Sequence, residues 1–274
     1  MLAALIIVFR EVFEAGLIVG IVLTVTRGVS GRAGWIAIGV LGGTLGACLV
    51  ALFAGQLSAA FGGSGHELFN AGILSVAVVM LIWHNVWMAR HGREMAAEMS
   101  AVGGAVARGT RPLTALAVVV GVAVLREGVE VVLFLYGIVA SAGGDTAAVF
   151  IGGVLGLVLG GAVSALTYLG LLNIPGRYLF AVTGVMIAFL AAGMAAQAVA
   201  FLQQADLITG LSDTAWDSSW LLSDTSLVGR ALHTLIGYTD RPTLMELVVY
   251  LATLAVIFVL TRLLARPVPV RAAG

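Results

Sequence analysis

Residues 2–25 read LAALIIVFREVFEAGLIVGIVLTV, an apolar run interrupted only by Arg10, Glu11 and Glu14. A helix needs about 20 mostly apolar residues to cross the hydrocarbon core of a bilayer, and this run is long enough. An ionised residue at the centre of such a span costs at least about 2.5–3.5 kcal/mol on insertion scales. The stretch therefore predicts a membrane helix whose buried charges serve a function.

The whole chain has the composition of a membrane protein. Of its 274 residues 61% are hydrophobic and only 10% are charged, whereas a soluble domain carries roughly 25% charged residues. The formal net charge is zero and no basic patch is present, which excludes nucleic-acid binding. The single cysteine, Cys48, excludes a disulfide framework, a zinc-finger site and an iron–sulfur cluster.

Seven apolar stretches of the chain are long enough to cross a membrane. They cover residues 2–25, 34–57, 67–89, 113–140, 147–171, 178–202 and 244–264. Polar or turn-forming segments separate them, among them the Arg/Glu-rich segment 90–111 and a long loop at 205–242. The sequence therefore predicts an all-α polytopic membrane protein with seven transmembrane helices.

Arginine sets the expected orientation, because the chain has 14 arginines and no lysine. Ten arginines fall on one side of the seven predicted spans and two on the other, while Arg10 and Arg126 lie inside spans. Basic residues favour the cytoplasmic side of a membrane. We therefore expect a multi-pass protein of the plasma or inner membrane, with its N-terminus outside and its C-terminus in the cytoplasm.

The motif of the first span recurs in the fourth, where residues 126–130 read REGVE. Gly39–Gly42 and Gly153–Gly156 also share the sequence GVLG. Since each unit has three spans, the second lies upside down relative to the first, an arrangement that places transporter sites near the membrane midplane. We expect one membrane domain over 1–274, made of repeat one (about 1–100), repeat two (about 111–204), an outer loop (205–242) and a seventh helix (243–265).

The two R-E-x-x-E motifs predict a cation site. Their glutamates at i and i+3 project from one side of each helix, and each arginine can pair with the glutamate at i+4. We expect a coordinating role for four glutamates: Glu11, Glu14, Glu127 and Glu130. Arg10 and Arg126 would keep these carboxylates ionised and oriented. Hard carboxylate oxygens suit Fe(III), while protons and divalent ions stay open, as does a purely structural role for the Arg–Glu clusters.

Two further residues are candidate ligands outside the motifs. Glu67 begins the third span on the expected outer side, where it could bind the ion as it enters, although an acid also suits a helix N-terminus. His84 lies within the same span, where it could be an accessory metal or proton group or a helix–helix hydrogen-bond partner.

Together these motifs make the chain resemble the ferric iron permease family, the oxidase-dependent iron transporters of fungi and bacteria. That family carries an R-E-G-[LI]-E-type motif in the first and fourth of seven helices, which REVFE at 10–14 and REGVE at 126–130 resemble, with Val12-Phe13 where glycine and leucine are more usual. The resemblance implies a membrane permease for iron that works with an extracytoplasmic iron oxidase or iron-delivery protein. It implies no cofactor, since the iron ion is the substrate, and it gives the metal-binding role to the motif residues.

Two other functions fit the same residues. A transporter of Fe(II), Pb(II) or Mn(II) could use the same architecture, and a membrane metal-binding protein could use the site without transport. An enzyme is the least favoured interpretation, because a serine protease read from Gly62–Gly65 would leave the repeated motif unexplained.

Overall fold

A computed structural model of the chain describes residues 1–60, 66–141, 146–170, 176–224 and 226–264. The described residues form eight helices: α1 (Leu2–Val25), α2 (Arg32–Ala60), α3 (His66–Ala107), α4 (Thr114–Ser141), α5 (Thr146–Tyr168), α6 (Gly176–Gln204), α7 (Leu227–Ile236) and α8 (Leu244–Leu264). Within these ranges, β-type pairing is limited to one isolated bridge between Thr214 and Thr243. The prediction of an all-α fold is confirmed for the described residues, whereas the segments 61–65 and 142–145, which separate predicted spans, lie outside them.

Five helices are long and apolar enough to cross a membrane by length and composition. The segments are Arg32–Ala54, Glu67–Trp87, Thr146–Tyr168, Val182–Gln204 and Leu244–Leu263. Helices α1 and α4 are of similar length, 24 and 28 residues. Each of them carries an arginine and two glutamates near its middle, so composition alone does not mark these two helices as spans.

Helix α3 is much longer than predicted. The sequence suggested a break over 90–111, but α3 continues to Ala107 and is 42 residues long. The prediction of a break was wrong because the segment is rich in alanine, glutamate and methionine, which are strong helix formers whatever their polarity. The chain leaves helical geometry only at Gly109, which adopts the left-handed φ of 74° shortly before Pro112.

Glycines allow α1 and α5 to pack with their backbones in close approach. A β-carbon on Gly156 would lie 2.6 Å from the carbonyl oxygen of Leu5, and one on Gly160 would lie 2.7 Å from that of Phe9. Only glycine fits at such positions. Because higher residue numbers on α5 meet higher numbers on α1, the two helices run parallel.

Helices α2 and α4 repeat this arrangement. A β-carbon on Gly39 would lie 2.7 Å from the carbonyl oxygen of Ala117, and one on Gly43 would lie 2.6 Å from that of Gly121. These two helices are therefore also parallel and in close contact.

The direction of α4 relative to α1 follows from these contacts. At the turn between α1 and α2, Arg32 Nη1 donates a hydrogen bond of 2.8 Å to the carbonyl oxygen of Leu23, so α2 begins where α1 ends and returns along it. Since α4 runs parallel to α2, it runs antiparallel to α1. Helices α3, α6 and α8 complete the packing around a core that includes Ile7, Leu74, Leu81, Phe134 and Ile187.

The segment predicted as an outer loop contains the short helix α7. The Ser226 side chain caps its first turn by accepting a hydrogen bond from the Gly229 amide, and Gly237 ends the helix with a φ of 70°. Gly237 lies against Gly193, about three turns before the end of α6, or roughly 16 Å along that helix. Helix α7 therefore enters the bundle instead of lying above it, and the Tyr250 hydroxyl donates to the Ile236 carbonyl oxygen at 2.6 Å.

The glycine contacts predict a position-specific loss of stability. Replacing Gly156 with alanine forces a methyl group against the Leu5 carbonyl, and overpacking of this kind costs about 1–3 kcal/mol. We expect Gly156→Ala to lower the midpoint of thermal unfolding in detergent. The matched control is Gly161→Ala on the same helix, where an added β-carbon has open space around it. Equal midpoints for the two variants would contradict the close α1–α5 contact.

Candidate metal centre

The first motif buries its three charged residues in the middle of α1. Arg10, Glu11 and Glu14 are 3%, 0% and 2% exposed. Arg10 Nε lies 2.8 Å from Glu14 Oε1, the pairing expected of residues one turn apart, and Arg10 Nη1 lies 3.4 Å from Glu11 Oε1. The predicted pairing of Arg10 with its own glutamates is therefore present in the structure.

The second motif is less enclosed. Glu127 is buried, with 2% of its side chain exposed, and the Glu130 side chain is 12% exposed. Arg126 Nε lies 3.2 Å from Glu130 Oε1 and 3.9 Å from Glu127 Oε1, but a third of the Arg126 side chain is exposed. The same local pairing thus occurs in both motifs, with a different degree of burial.

His84 of α3 lies between the two motifs. Its Nδ1 contacts Glu130 Oε2, and its Nε2 lies 3.8 Å from Glu11 Oε2 and 3.6 Å from Glu14 Oε2. The imidazole is almost fully buried. One face of α3 therefore links the glutamates of α1 to those of α4.

Three helices bring four possible ligands together. Glu11, His84, Glu127 and Glu130 each offer one ligand atom, and these atoms all lie within 4.8 Å of one another. Metal–ligand bonds of roughly 2.0–2.2 Å place the most distant donors around one ion about 4.3 Å apart. Adjacent donors around one ion lie closer still, at about 3–3.5 Å, so the four groups would have to move closer together to bind a single ion.

Several carboxylate oxygens of this group accept no hydrogen bond, although basic groups lie within 4 Å of some of them. Both oxygens of Glu127 and Oε2 of Glu11 are buried and have no hydrogen-bond partner among the described residues. A buried charge without compensation costs several kcal/mol, whereas a bound cation turns the same oxygens into ligands. Carboxylate oxygens together with one imidazole nitrogen suit a hard or borderline ion such as iron or manganese.

The predicted site residues are therefore mostly, but not all, assembled. The four motif glutamates, the two motif arginines and His84 lie in one cluster, with Glu14 at its edge near His84. Glu67 is exposed in the first turn of α3, more than four turns along the helix from His84. Its role as a ligand where the ion enters stays a prediction.

Sequence reasoning did not find the residues that contact Arg126 from α3. The Arg126 guanidinium lies over the ring of Trp87, with its central carbon 4.1 Å from the ring centroid. Arg126 Nη1 is also 3.9 Å from Met95 Sδ. These contacts join residues far apart in sequence, and no local motif marks them.

Comparison with known proteins places these features in a wider group. The sequence matches the Iron permease FTR1 family over residues 1–268. It is 33% identical over 268 residues to a protein of Escherichia coli O6:H1 (strain CFT073) named "Ferrous iron permease EfeU", covering 95% of this chain and 96% of that protein. A protein of the same name from Shigella sonnei (strain Ss046) is 31% identical over 276 residues, covering 99% and 97%. No solved structure matches the chain.

Neither oxygen of Glu127 accepts a hydrogen bond, so we predict that replacing this residue changes protein stability and metal binding in opposite directions. Glu127→Gln keeps the shape of the side chain but removes a buried charge. We expect metal affinity to fall by at least about 10-fold, because even changes behind the first ligand shell cost that much. We expect the metal-free protein to unfold at a higher temperature, since one of the carboxyl groups crowded together in the buried cluster is gone.

Calorimetric titration with Mn(II) or anaerobic Fe(II), together with thermal unfolding in detergent, measures both effects. Glu98→Gln, at an exposed position of α3, is the matched control that should change neither. A Glu127→Gln protein that binds metal as tightly as its parent would show that Glu127 is not a ligand.

Proposed function

Because the chain belongs to the iron permease FTR1 family, whose members are transporters and not enzymes, we propose that it imports iron through the buried centre formed by Glu11, His84, Glu127 and Glu130. Its several long apolar helices fit a multi-pass membrane protein. The observation that carries the proposal is the convergence of four donor groups within 4.8 Å in the interior of the bundle.

The remaining charged residues of the motifs support this centre. Glu14 lies next to His84 and is positioned to receive the ion from, or pass it to, the four ligands. Arg10 and Arg126 offset part of the negative charge and hold the carboxylates in place. Partial neutralisation also limits how tightly the ion is held, which transport requires.

We infer that the chain crosses the membrane seven times as two inverted three-helix repeats, over about 1–100 and 111–204, with α8 as the seventh span. The paired glycine contacts support this arrangement. Gly39 meets Ala117 as Gly152 meets Met1, and Gly43 meets Gly121 as Gly156 meets Leu5. The residues of α1 and α4 that correspond in these contacts differ in residue number by the same amount as Arg10 and Arg126 do.

The glycine contacts also change the residue-by-residue alignment of the two repeats. In the packing Gly39 corresponds to Gly152, one residue away from the match between the two GVLG sequences. Gly42, which the sequence match would pair with Gly156, has no neighbouring atom close to where its β-carbon would be. Packing thus defines the register of α2 and α5 more directly than the sequence match does.

The predicted orientation gives the ion a driving force. Arg27, Arg32, Arg108 and Arg111 lie at the end of the bundle where α1 and α3 finish, which is the cytoplasmic end under the positive-inside rule. The N-terminus is then outside and the C-terminus inside. A cation moving inward gains roughly 2.3 kcal/mol per charge for each 100 mV of membrane potential.

Charge and ligand type both bear on the oxidation state of the cargo. Four carboxylates and two guanidinium groups leave a formal charge of −2, which Fe(II) neutralises completely. The His84 nitrogen also suits Fe(II), and the relatives named above are described as ferrous iron permeases. We therefore propose Fe(II) as the cargo. The predicted cargo, Fe(III), is the second candidate, favoured by the preference of four hard carboxylates for a highly charged ion.

The segment 205–242 offers a surface for the expected extracytoplasmic iron oxidase or iron-delivery protein. Trp220 and Leu221 are 82% and 73% exposed beside Asp217. Hydrogen bonds from Ser219 and the nearby Arg241 keep the pKa of Asp217 below its usual value, so this carboxylate stays ionised in acidic surroundings. An apolar patch next to a persistent negative charge suits a partner with a basic rim.

Uptake into liposomes tests the transport function. We expect purified protein to carry Fe(II), kept reduced with ascorbate, faster than ferric citrate, Mn(II) or Pb(II). Glu14→Gln and Glu130→Gln should each lower uptake at least about 10-fold, since each removes a negative charge from the ion's path. Glu98→Gln is the control for the loss of a carboxylate elsewhere.

The outcomes separate the alternatives. Faster uptake of ferric citrate would make Fe(III) the cargo, and faster uptake of Mn(II) or Pb(II) would give the same architecture another substrate. A parent protein that binds iron but lets none enter would be a membrane metal-binding protein and not a permease.

Reporter fusions test the orientation. Green fluorescent protein fused to the C-terminus of the full chain should fluoresce, because it folds in the cytoplasm, whereas alkaline phosphatase at the same place should be inactive. Alkaline phosphatase fused after Gln204, at the end of α6, should be active. A C-terminal fusion on the outside and a Gln204 fusion in the cytoplasm would overturn the predicted orientation. Finding both positions on one side of the membrane would overturn the number of spans.

A further inference from the structure

The two motif arginines differ in their surroundings although their motifs match. The Arg10 side chain is 3% exposed and is enclosed by Glu11 and Glu14 of its own helix. The Arg126 side chain is 33% exposed and contacts α3 through Trp87 and Met95 as well as Glu130. The sequence repeat gives no reason for this difference, so it reflects how the helices pack around each motif.

The two arginines lie at opposite ends of the carboxylate cluster. Because α1 and α4 are antiparallel, Arg10 lies towards the N-terminal end of α1, and Arg126 lies towards the end where α1 finishes. The Arg10 side chain at the first end is 3% exposed, whereas the Arg126 side chain at the second end is 33% exposed. The cluster is therefore closed at the Arg10 end and partly open at the Arg126 end.

Resting on the proposed function, we propose that Arg126 is the gate on the cytoplasmic side of the metal centre and that Trp87 is the residue that positions its guanidinium. A fixed positive charge at the open end repels a cation that leaves the glutamates. The ion passes when the guanidinium moves away from Glu130. The open end faces the cytoplasm in the orientation given above.

The face of Trp87 gives the displaced guanidinium a place to rest. Arginine keeps its charge under all physiological conditions, so it cannot open the path by losing a proton. An aromatic face attracts such a cation, most strongly when the ring is that of tryptophan. The guanidinium lies 4.1 Å from the ring centroid while its Nε is 3.2 Å from Glu130 Oε1, so the ring contact can persist when the Glu130 contact is released.

The test compares an aliphatic with an aromatic replacement of Trp87. In liposomes Trp87→Leu should lower the maximal rate of iron uptake about 10-fold, equivalent to about 1.4 kcal/mol, with KM unchanged. Trp87→Phe should keep most of the parent rate, because it preserves the aromatic face. Both variants lose the indole N–H, so the difference between them isolates the ring.

Iron affinity of the purified variants distinguishes gating from misfolding. Parent affinity with a reduced rate in Trp87→Leu and recovery in Trp87→Phe supports the gate. Equal rates for leucine and parent, equal loss in leucine and phenylalanine, or weakened iron binding in Trp87→Leu would each overturn it. If the parent carries no iron, the proposed permease function fails, and the accessibility experiment below still tests which end of the centre is open.

The accessibility experiment uses the single cysteine of the chain. Cys48 is exposed on α2 and can be replaced by serine, which leaves Met95→Cys as the only thiol beside Arg126. A membrane-impermeant thiol reagent should label this cysteine in inside-out vesicles and not in right-side-out spheroplasts. Labelling only from the outside, or from neither side, would overturn the assignment of the Arg126 end as the cytoplasmic opening.

Discussion

The central constraint on this protein is the burial of four carboxylates in the middle of an apolar helical bundle. In surroundings of low dielectric constant, such charges are tolerable only beside cations that compensate them. Arg10 and Arg126 supply part of this compensation within their own helices, and His84 adds contacts from α3. The proposed cargo supplies the rest, so the need for compensation that makes the buried carboxylates costly also makes them attractive to a metal ion. Helices α1, α3 and α4 must therefore meet at this point, and the other helices pack around them.

The glycine contacts restrict how such a bundle can move. Helix α1 is packed tightly against α5 and α4 against α2, so each motif helix is held by a helix of the other proposed repeat. A simple rocking of one repeat against the other would separate both contacts. The side chains from α3 are not held in this way: His84 approaches the glutamates, and Trp87 approaches Arg126, through side-chain contacts alone. A small displacement of either side chain would change the ligand set or the position of the arginine.

Much of the fold could be predicted from the sequence because apolar runs in a membrane protein are long and well bounded. The predicted stretches 2–25 and 244–264 coincide with α1 and α8. The full length of α3 could not be predicted from hydropathy, because polarity does not end a helix when the residues are good helix formers. Helix α7 was missed for a different reason: it is too short to be a span, although Ser226 and Gly237 mark its two ends.

The candidate site was predictable in its members and not in its geometry. Charged residues within an apolar run stand out, so both motifs were found and expected to meet. The rotation of three helices about their axes decides whether His84 contacts both motifs and whether Arg126 lies on Trp87. Periodicity along one chain segment carries no information on that rotation. For the same reason Glu67 could be placed at the start of α3 but not relative to the cluster.

The parallel contact between α1 and α5 also affects how the protein is made. In the proposed seven-span arrangement, Leu5 enters the membrane before its neighbour Gly156 has been translated, because α2, α3 and α4 lie between them in the chain. During that interval α1 carries an arginine and two glutamates in the bilayer without the helices that later enclose them. Because Arg10 and Glu14 belong to the same helix, they can pair before the other helices arrive, and this pairing lowers the free-energy cost of holding α1 in lipid. The spacing of arginine and glutamate within the motif therefore also reduces the energetic penalty of a charged helix in lipid before its neighbouring helices are synthesised.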